Sequence, residues 1–93
     1  MERKLLTNEE IAAALSRLRE WAIEDGRLKK RIAFANFAES LAFVNSVGEL
    51  AESADHHPDI TFGWGYAELE LTTHDRGGIT DVDLDLAAKI DQI

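Results

Sequence analysis

The stretch Asp59-Ile60-Thr61-Phe62-Gly63-Trp64-Gly65-Tyr66-Ala67-Glu68-Leu69-Glu70-Leu71 decides the architecture. Its second half alternates, with Ala67, Leu69 and Leu71 on one side and Tyr66, Glu68 and Glu70 on the other. Successive strand side chains point to opposite faces, so this pattern describes a sheet covered on one face only. Gly63-Trp64-Gly65 supplies a turn, and the residues before it read as the partner strand. The spacing predicts a hairpin with strands over 59–64 and 66–73.

A second hairpin lies upstream. Trp21-Ala22-Ile23-Glu24 reads as a short strand, Asp25-Gly26 as its turn, and Leu28 to Phe34 as the return. Helical periodicity fills the remaining segments. Thr7 and Glu10 form a capping box ahead of Ile11, Leu15 and Leu18, which predicts a helix over 8–20. Asn36 and Glu39 repeat the pattern before Phe37, Leu41, Val44, Val47, Leu50 and Ala51, in a helix ending near Ala54. Phe43 falls outside that stripe, so the apolar surface is wide and suits more than one neighbour, including a second subunit. Thr80-x-x-Asp83 caps a last helix with Val82, Leu86, Ala87 and Ile90 inward. The order is αββαββα: an α+β fold with a four-stranded antiparallel sheet and three helices packed on one face.

Composition sets limits on function. Ninety-three residues make a single domain over 1–93, since a chain this short cannot build a second core. There is no cysteine, which excludes disulfides and thiolate metal sites and fits a reducing, cytoplasmic setting. The formal net charge of −8 disfavours nucleic acid and anionic membrane as partners. No apolar run approaches the ~20 residues of a membrane span. A domain this small gains from association, so a homo-oligomer is expected.

The only three histidines are His56, His57 and His74. Counting outward from a turn centred on Gly65, nine residues back is His56 and nine forward is His74. The hairpin therefore gathers all three at its open end. His56 and His57 point to opposite faces in a regular strand, but Pro58 distorts the chain there and lets both approach one pocket. Imidazole is the side chain best matched to proton transfer near neutral pH, and such a cluster places an acid and a base around a small substrate. Asp83, in the first turn of the last helix, and Glu52, one turn before His56, are carboxylates able to orient an imidazole. Taken singly, each residue also has a plain structural reading: a turn histidine, a capping aspartate, a solvated helix glutamate. Three imidazoles and a carboxylate suffice in number for zinc. Adjacent His56 and His57 suit one tetrahedral ion poorly, however, and no His-x-His or His-x-x-x-His pair is present. Metal-free acid–base chemistry therefore ranks above metal binding. No serine or cysteine nucleophile motif and no glycine-rich phosphate loop is found.

At these positions the chain resembles the pterin-4a-carbinolamine dehydratases, also known as dimerisation cofactors of a homeodomain transcription factor. The motif is carried by Glu52, His56-His57-Pro58, Trp64, His74 and Asp83, at matching spacing. Flanking stretches Thr72-Thr73-His74-Asp75, Gly78-Ile79-Thr80 and Leu86-Ala87-Ala88-Lys89-Ile90-Asp91 are similar too. Upstream, Trp21, Phe34, Phe37 and Phe43 match the family's core aromatics, so the likeness spans nearly the whole chain. One departure is Trp64, where tyrosine is common; an aromatic ring is retained in a pocket of altered shape.

The resemblance implies a hydro-lyase that dehydrates 4a-hydroxytetrahydrobiopterin to quinonoid dihydropterin in support of tetrahydrobiopterin recycling. It implies no metal or organic cofactor, a dimer or tetramer, and a functional link to aromatic amino acid hydroxylases. By the same resemblance, His56, His57 and His74 are the catalytic residues: His56 and His74 are the candidate acid and base, His57 binds and positions substrate with a proton-transfer role also open to it, and Asp83 orients an imidazole or the pterin. The alternatives are a protein-binding module serving as a transcriptional dimerisation cofactor, and action on a different pterin.

Overall fold

Both hairpins turn on two residues. In the computed structural model, which describes residues 1–93, β1 (Ala22–Glu24) pairs with β2 (Arg27–Ala33) across Asp25-Gly26. Asp25 and Gly26 have φ of 53° and 73°, the pair of positive values that matches the twist of a tight hairpin. β3 (Asp59–Gly63) pairs with β4 (Tyr66–Leu71) across Trp64-Gly65, with Gly65 at φ 81°. The last pair is Gly63 with Tyr66, so the turn is centred between Trp64 and Gly65. That is half a residue short of the expected centre, and it turns Thr73 rather than His74 towards the line of His56. β2 and β4 join the hairpins antiparallel, from Leu28 opposite Leu71 to Ala33 opposite Tyr66. The sheet order is β1-β2-β4-β3.

The expected alternation governs the layers. Ala67, Leu69 and Leu71 are fully buried, while Tyr66, Glu68 and Glu70 are half-exposed. The buried face carries α1 (Asn8–Leu15), α2 (Phe37–Ala54) and α3 (Asp81–Ile90). Leu28, Val47, Leu69, Leu71 and Leu86, all at 0% exposure, form the centre of the core with Trp21, Ile79, Ala87 and Ile90. Burying one such leucine stabilises the fold by about 1.5–3 kcal/mol. The opposite face is a charged lattice: Arg27 and Lys29 pair with Glu70, Arg31 pairs with Glu68, and Arg31 also lies over Tyr66.

The helices start where capping predicts. Thr7 and Glu10 form a complete capping box, in which hydrogen bonds to Thr7 hold the Glu10 carboxyl below its usual range. Asn36 accepts the Glu39 N–H, but Glu39 reaches one residue further back, to the Ala35 N–H. α1 stops at Leu15 rather than near residue 20. Its continuation tightens, with Arg17 and Leu18 N–H groups bonding to Ala14 and Leu15, and the Arg19 N–H goes to the Asp91 carboxylate. A helix cannot continue where its donors are taken from outside. The paired strands are also shorter than expected, ending at Gly63 and Leu71 and starting at Ala22, with Trp21 buried just outside.

The wide apolar surface of α2 divides. Val47 and Ala51 are buried, and the helix packs on β3, β4 and α3. Phe37 and Leu41 remain exposed, with the Phe37 ring 5.7 Å from that of Phe62.

Candidate active site

α2 ends by delivering a histidine into the core. Its C-cap, Asp55, takes the left-handed conformation (φ 50°) and turns the chain. The next residue, His56, closes the helix through a backbone bond to Ala51 and is 6% exposed. A buried imidazole requires partners, because an unpaired polar group away from water is costly. His56 finds one in Asp83: Nε2 lies 2.5 Å from Oδ1 of that carboxylate. Asp83 itself is at 0% exposure in the first turn of α3. Its second oxygen, Oδ2, accepts the Thr73 hydroxyl at 2.8 Å and the Thr80 backbone N–H at 2.9 Å. Asp83 is thus a cap, as its position suggests, and the partner of His56 as well.

His57 follows at the surface, where its Nε2 meets Glu52 on the last turns of α2. Both side chains are more than half exposed, so the pair is a solvated one of small energy, about 0–1 kcal/mol. Pro58 is half-buried between this turn and β3. The break before Pro58 therefore sends the two adjacent histidines into different surroundings, one to a buried carboxylate and one to an exposed one.

His74 opens a 3-10 turn (His74–Arg76) directly after Thr73. It is exposed, and no hydrogen bond ties its ring to either histidine–carboxylate pair. Its neighbour Thr73 is bonded to Asp83, which is bonded to His56, so the end of β4 and the end of α2 meet at one carboxylate. Trp64 is different. It is 72% exposed in the β3–β4 turn, and the six residues of β4 put about 20 Å of strand between that turn and the histidines. One chain alone does not bring Trp64 to the other motif residues.

Three contributors escape the histidine count. Thr73 and Thr80, both buried, share a hydroxyl–hydroxyl bond of 2.8 Å beside Asp83. Thr73 continues the inward series of Leu69 and Leu71, and a polar residue on an apolar face was the signal available for it. Arg3 is the third: its guanidinium donates to the Asp55 carbonyl at 2.8 Å and lies 3.9 Å from Asp75, touching the segments that precede His56 and follow His74. The N-terminal strand-like segment holds it there through Leu6 to Ile79 and Lys4 to Asp81. No pattern in the sequence marks that contact.

A concavity lies elsewhere, on the open face of the sheet between Glu24, Lys29, Arg31 and Glu68. Its cations are already paired with Glu70 and Glu68, so it offers no convergent free groups. No group of three or more histidine and acidic side chains is arranged to hold a metal ion.

The family model described as pterin 4 alpha carbinolamine dehydratase matches residues 4–93. The chain belongs to that family. A Picosynechococcus protein provisionally named pterin-4-alpha-carbinolamine dehydratase is 48% identical over 88 residues, covering 95% of this chain and 96% of that one. A Metallosphaera sedula protein of the same provisional name is 47% identical over 88 residues, covering 95% and 92%. Among solved structures, a transcriptional coactivator/pterin dehydratase from Brucella melitensis superimposes with a TM-score of 0.91 at 27% identity, covering 96% and 97% of the two chains. A pterin dehydratase-like protein described as a RuBisCO assembly factor of the alpha-carboxysome gives 0.63 at 29% identity, covering 81% and 86%. The solved structures that this chain resembles thus include proteins described by roles other than catalysis.

Proposed function

We propose that this chain is a pterin-4a-carbinolamine dehydratase working by histidine acid–base catalysis. The observation that carries the reading is the buried His56–Asp83 pair, set beside His57–Glu52 and next to the segment bearing His74, in a chain of this family. The reaction breaks the C4a–OH bond, releases water, removes the N5 proton and forms the C4a=N5 bond of the quinonoid dihydropterin. The hydroxyl must be protonated to leave, and the N5 electron pair drives it out as the proton departs. That requires one acid and one base on opposite sides of the reacting bond, the roles we give to His56 and His74. Asp83 orients His56 through the Nε2–Oδ1 contact. His57, exposed and steered by Glu52, binds and positions the pterin, with Pro58 fixing the turn that separates the two imidazoles. Trp64 enters this site only where a neighbouring copy delivers it. The physiological setting that fits is a cytoplasmic homo-oligomer that recycles tetrahydrobiopterin for an aromatic amino acid hydroxylase.

The test is to generate the carbinolamine and follow its decay. Wild type accelerates it, and His56→Ala and His74→Ala each lose about 10²–10⁴-fold of that acceleration, the usual contribution of a placed acid or base. No acceleration by wild type, or equal acceleration by all variants, refutes the assignment.

A second reading, a protein-binding module, is favoured by the exposed Phe37 and Leu41 on α2. The coactivator and assembly-factor descriptions of the two solved neighbours are compatible with it. Replacing both residues by serine separates the readings: a binding role is lost while dehydration persists.

A further inference from the structure

We infer that Thr73 and Thr80 are positioning residues that fix the tautomer of His56, making Nδ1 the ring atom that accepts the substrate proton. The inference rests on the dehydratase reading for its chemistry and on the geometry around Asp83 for its direction. The Thr80 N–H can only donate, and it occupies Oδ2 at 2.9 Å. The Thr73 hydroxyl donates to the same oxygen at 2.8 Å. With its hydrogen committed there, Thr73 Oγ1 must accept in its 2.8 Å contact with Thr80, whose hydroxyl is then the donor. The chain of donors runs one way, from Thr80 through Thr73 to Asp83. Oδ2 is filled by two donors and has no room for a proton of its own.

Accepting two donors on one oxygen suits a carboxylate, which has no hydrogen to give; as a carboxylate oxygen Oδ1 faces His56 as an acceptor, and Nε2 carries the hydrogen in the 2.5 Å bond. A neutral imidazole with hydrogen on Nε2 has its lone pair on Nδ1. No hydrogen bond engages Nδ1, and no buried side-chain nitrogen or oxygen lacks a partner, so Nδ1 keeps a small solvent contact, and we assign that contact to the substrate. His56 then takes the N5 proton at Nδ1, and the resulting imidazolium is held by Asp83. The exposed His74 is left to protonate the departing hydroxyl.

Thr73 also couples the two histidines mechanically. While its hydroxyl holds Asp83, its carbonyl accepts from Arg76 and Gly77 N–H groups at 3.0 Å and so starts the turn that carries His74. One residue thereby sets the position of both proton-transfer groups.

The decisive variants are Thr73→Val, which keeps shape and removes the donor, and Thr73→Ser, which keeps the donor. Long-range ¹⁵N–¹H spectra of the histidine rings report the tautomer, and carbinolamine decay reports kcat and KM. Expected are an Nε2–H tautomer for His56 in wild type and a mixed or Nδ1–H state in Thr73→Val. The kcat of Thr73→Val falls at least about tenfold, the scale of one lost hydrogen bond to a charged group, while KM is nearly unchanged. Thr73→Ser restores both tautomer and kcat. An Nδ1–H tautomer in wild type overturns the inference, and needs no variant to fold. So does a Thr73→Val protein with wild-type tautomer and kcat, or a Thr73→Ser protein as impaired as Thr73→Val. If wild type leaves the carbinolamine untouched while the tautomers behave as stated, the dehydratase reading fails and the positioning role stands.

Discussion

Replacing Asp91 by asparagine should destabilise this protein from its C-terminal end. Asp91 lies just past α3 with its side chain 4% exposed. One oxygen accepts the Trp21 indole N–H at 2.9 Å and the Lys30 ammonium at 2.8 Å; the other accepts the Arg19 N–H at 2.9 Å. Asparagine offers one acceptor oxygen and points its NH₂ group at a donor, so at least one of the three loses its partner. Breaking a buried ion pair from one side costs about 3–5 kcal/mol. Lys30 keeps 11% side-chain exposure and partly rehydrates, which places the cost near the lower end, about 3 kcal/mol. A domain of this size has roughly 5–14 kcal/mol in total, so the loss is a large share. Tm should fall by about 12–24 °C.

Urea unfolding followed by far-UV circular dichroism measures it, with an unchanged m-value marking a native-state effect. Adding Lys30→Met to Asp91→Asn should recover part of the loss, because it removes the cation left unpaired. The gap between wild type and Asp91→Asn also depends on pH. Burial pushes the Asp91 carboxyl up, but Lys30, the Arg19 N–H and the Trp21 N–H together hold it below its ordinary value. A lowered folded-state value means the contribution is fully present above the unfolded carboxylate pKa of about 3.9. It is lost as pH falls through the lower folded value, so the gap closes in strong acid. A stability difference under about 1 kcal/mol at neutral pH would refute this account of the clasp.

Other changes have more local outcomes. Gly65→Ala should destabilise by more than about 1 kcal/mol in thermal unfolding, since φ is 81° and the new Cβ would sit 3.2 Å from the Phe34 carbonyl oxygen. Leu86→Ala empties a fully buried position of α3 and should cost about 2–5 kcal/mol by urea titration. Trp64→Ala should alter stability by less than about 0.5 kcal/mol. It should also leave carbinolamine turnover at the wild-type level; a large loss would show that a second copy brings Trp64 to the histidines.

How much was legible in the sequence depended on how far apart the interacting residues lie. The two hairpins, the alternation of β4 and the start of each helix follow from patterns within a few residues, and the structure reproduces them. The centre of the second turn was displaced by half a residue, which exchanged Thr73 for His74 opposite the line of His56. The end of α1 was misplaced because its competitor for hydrogen bonds, Asp91, is 72 residues from Arg19. The His56–Asp83 pair was foreseeable as an orienting contact, since both ends carry local signals: a helix break before proline and a cap. Thr80 was visible only as that cap. Thr73 was marked only as a polar residue continuing the inward series of Leu69 and Leu71, and Arg3 acts across folded distance with neither periodicity nor spacing to mark it. Trp64 shares the motif's spacing but sits at the opposite end of the hairpin from the histidines, as its place in the Gly63-Trp64-Gly65 turn already implied.

The contact made by Arg3 bears on how the protein should be handled. The family match begins at Lys4, one residue after the side chain that touches both the Asp55 carbonyl and Asp75. Trimming the chain to that boundary would keep every histidine and the carboxylates paired with them, and yet untie the two segments that present them.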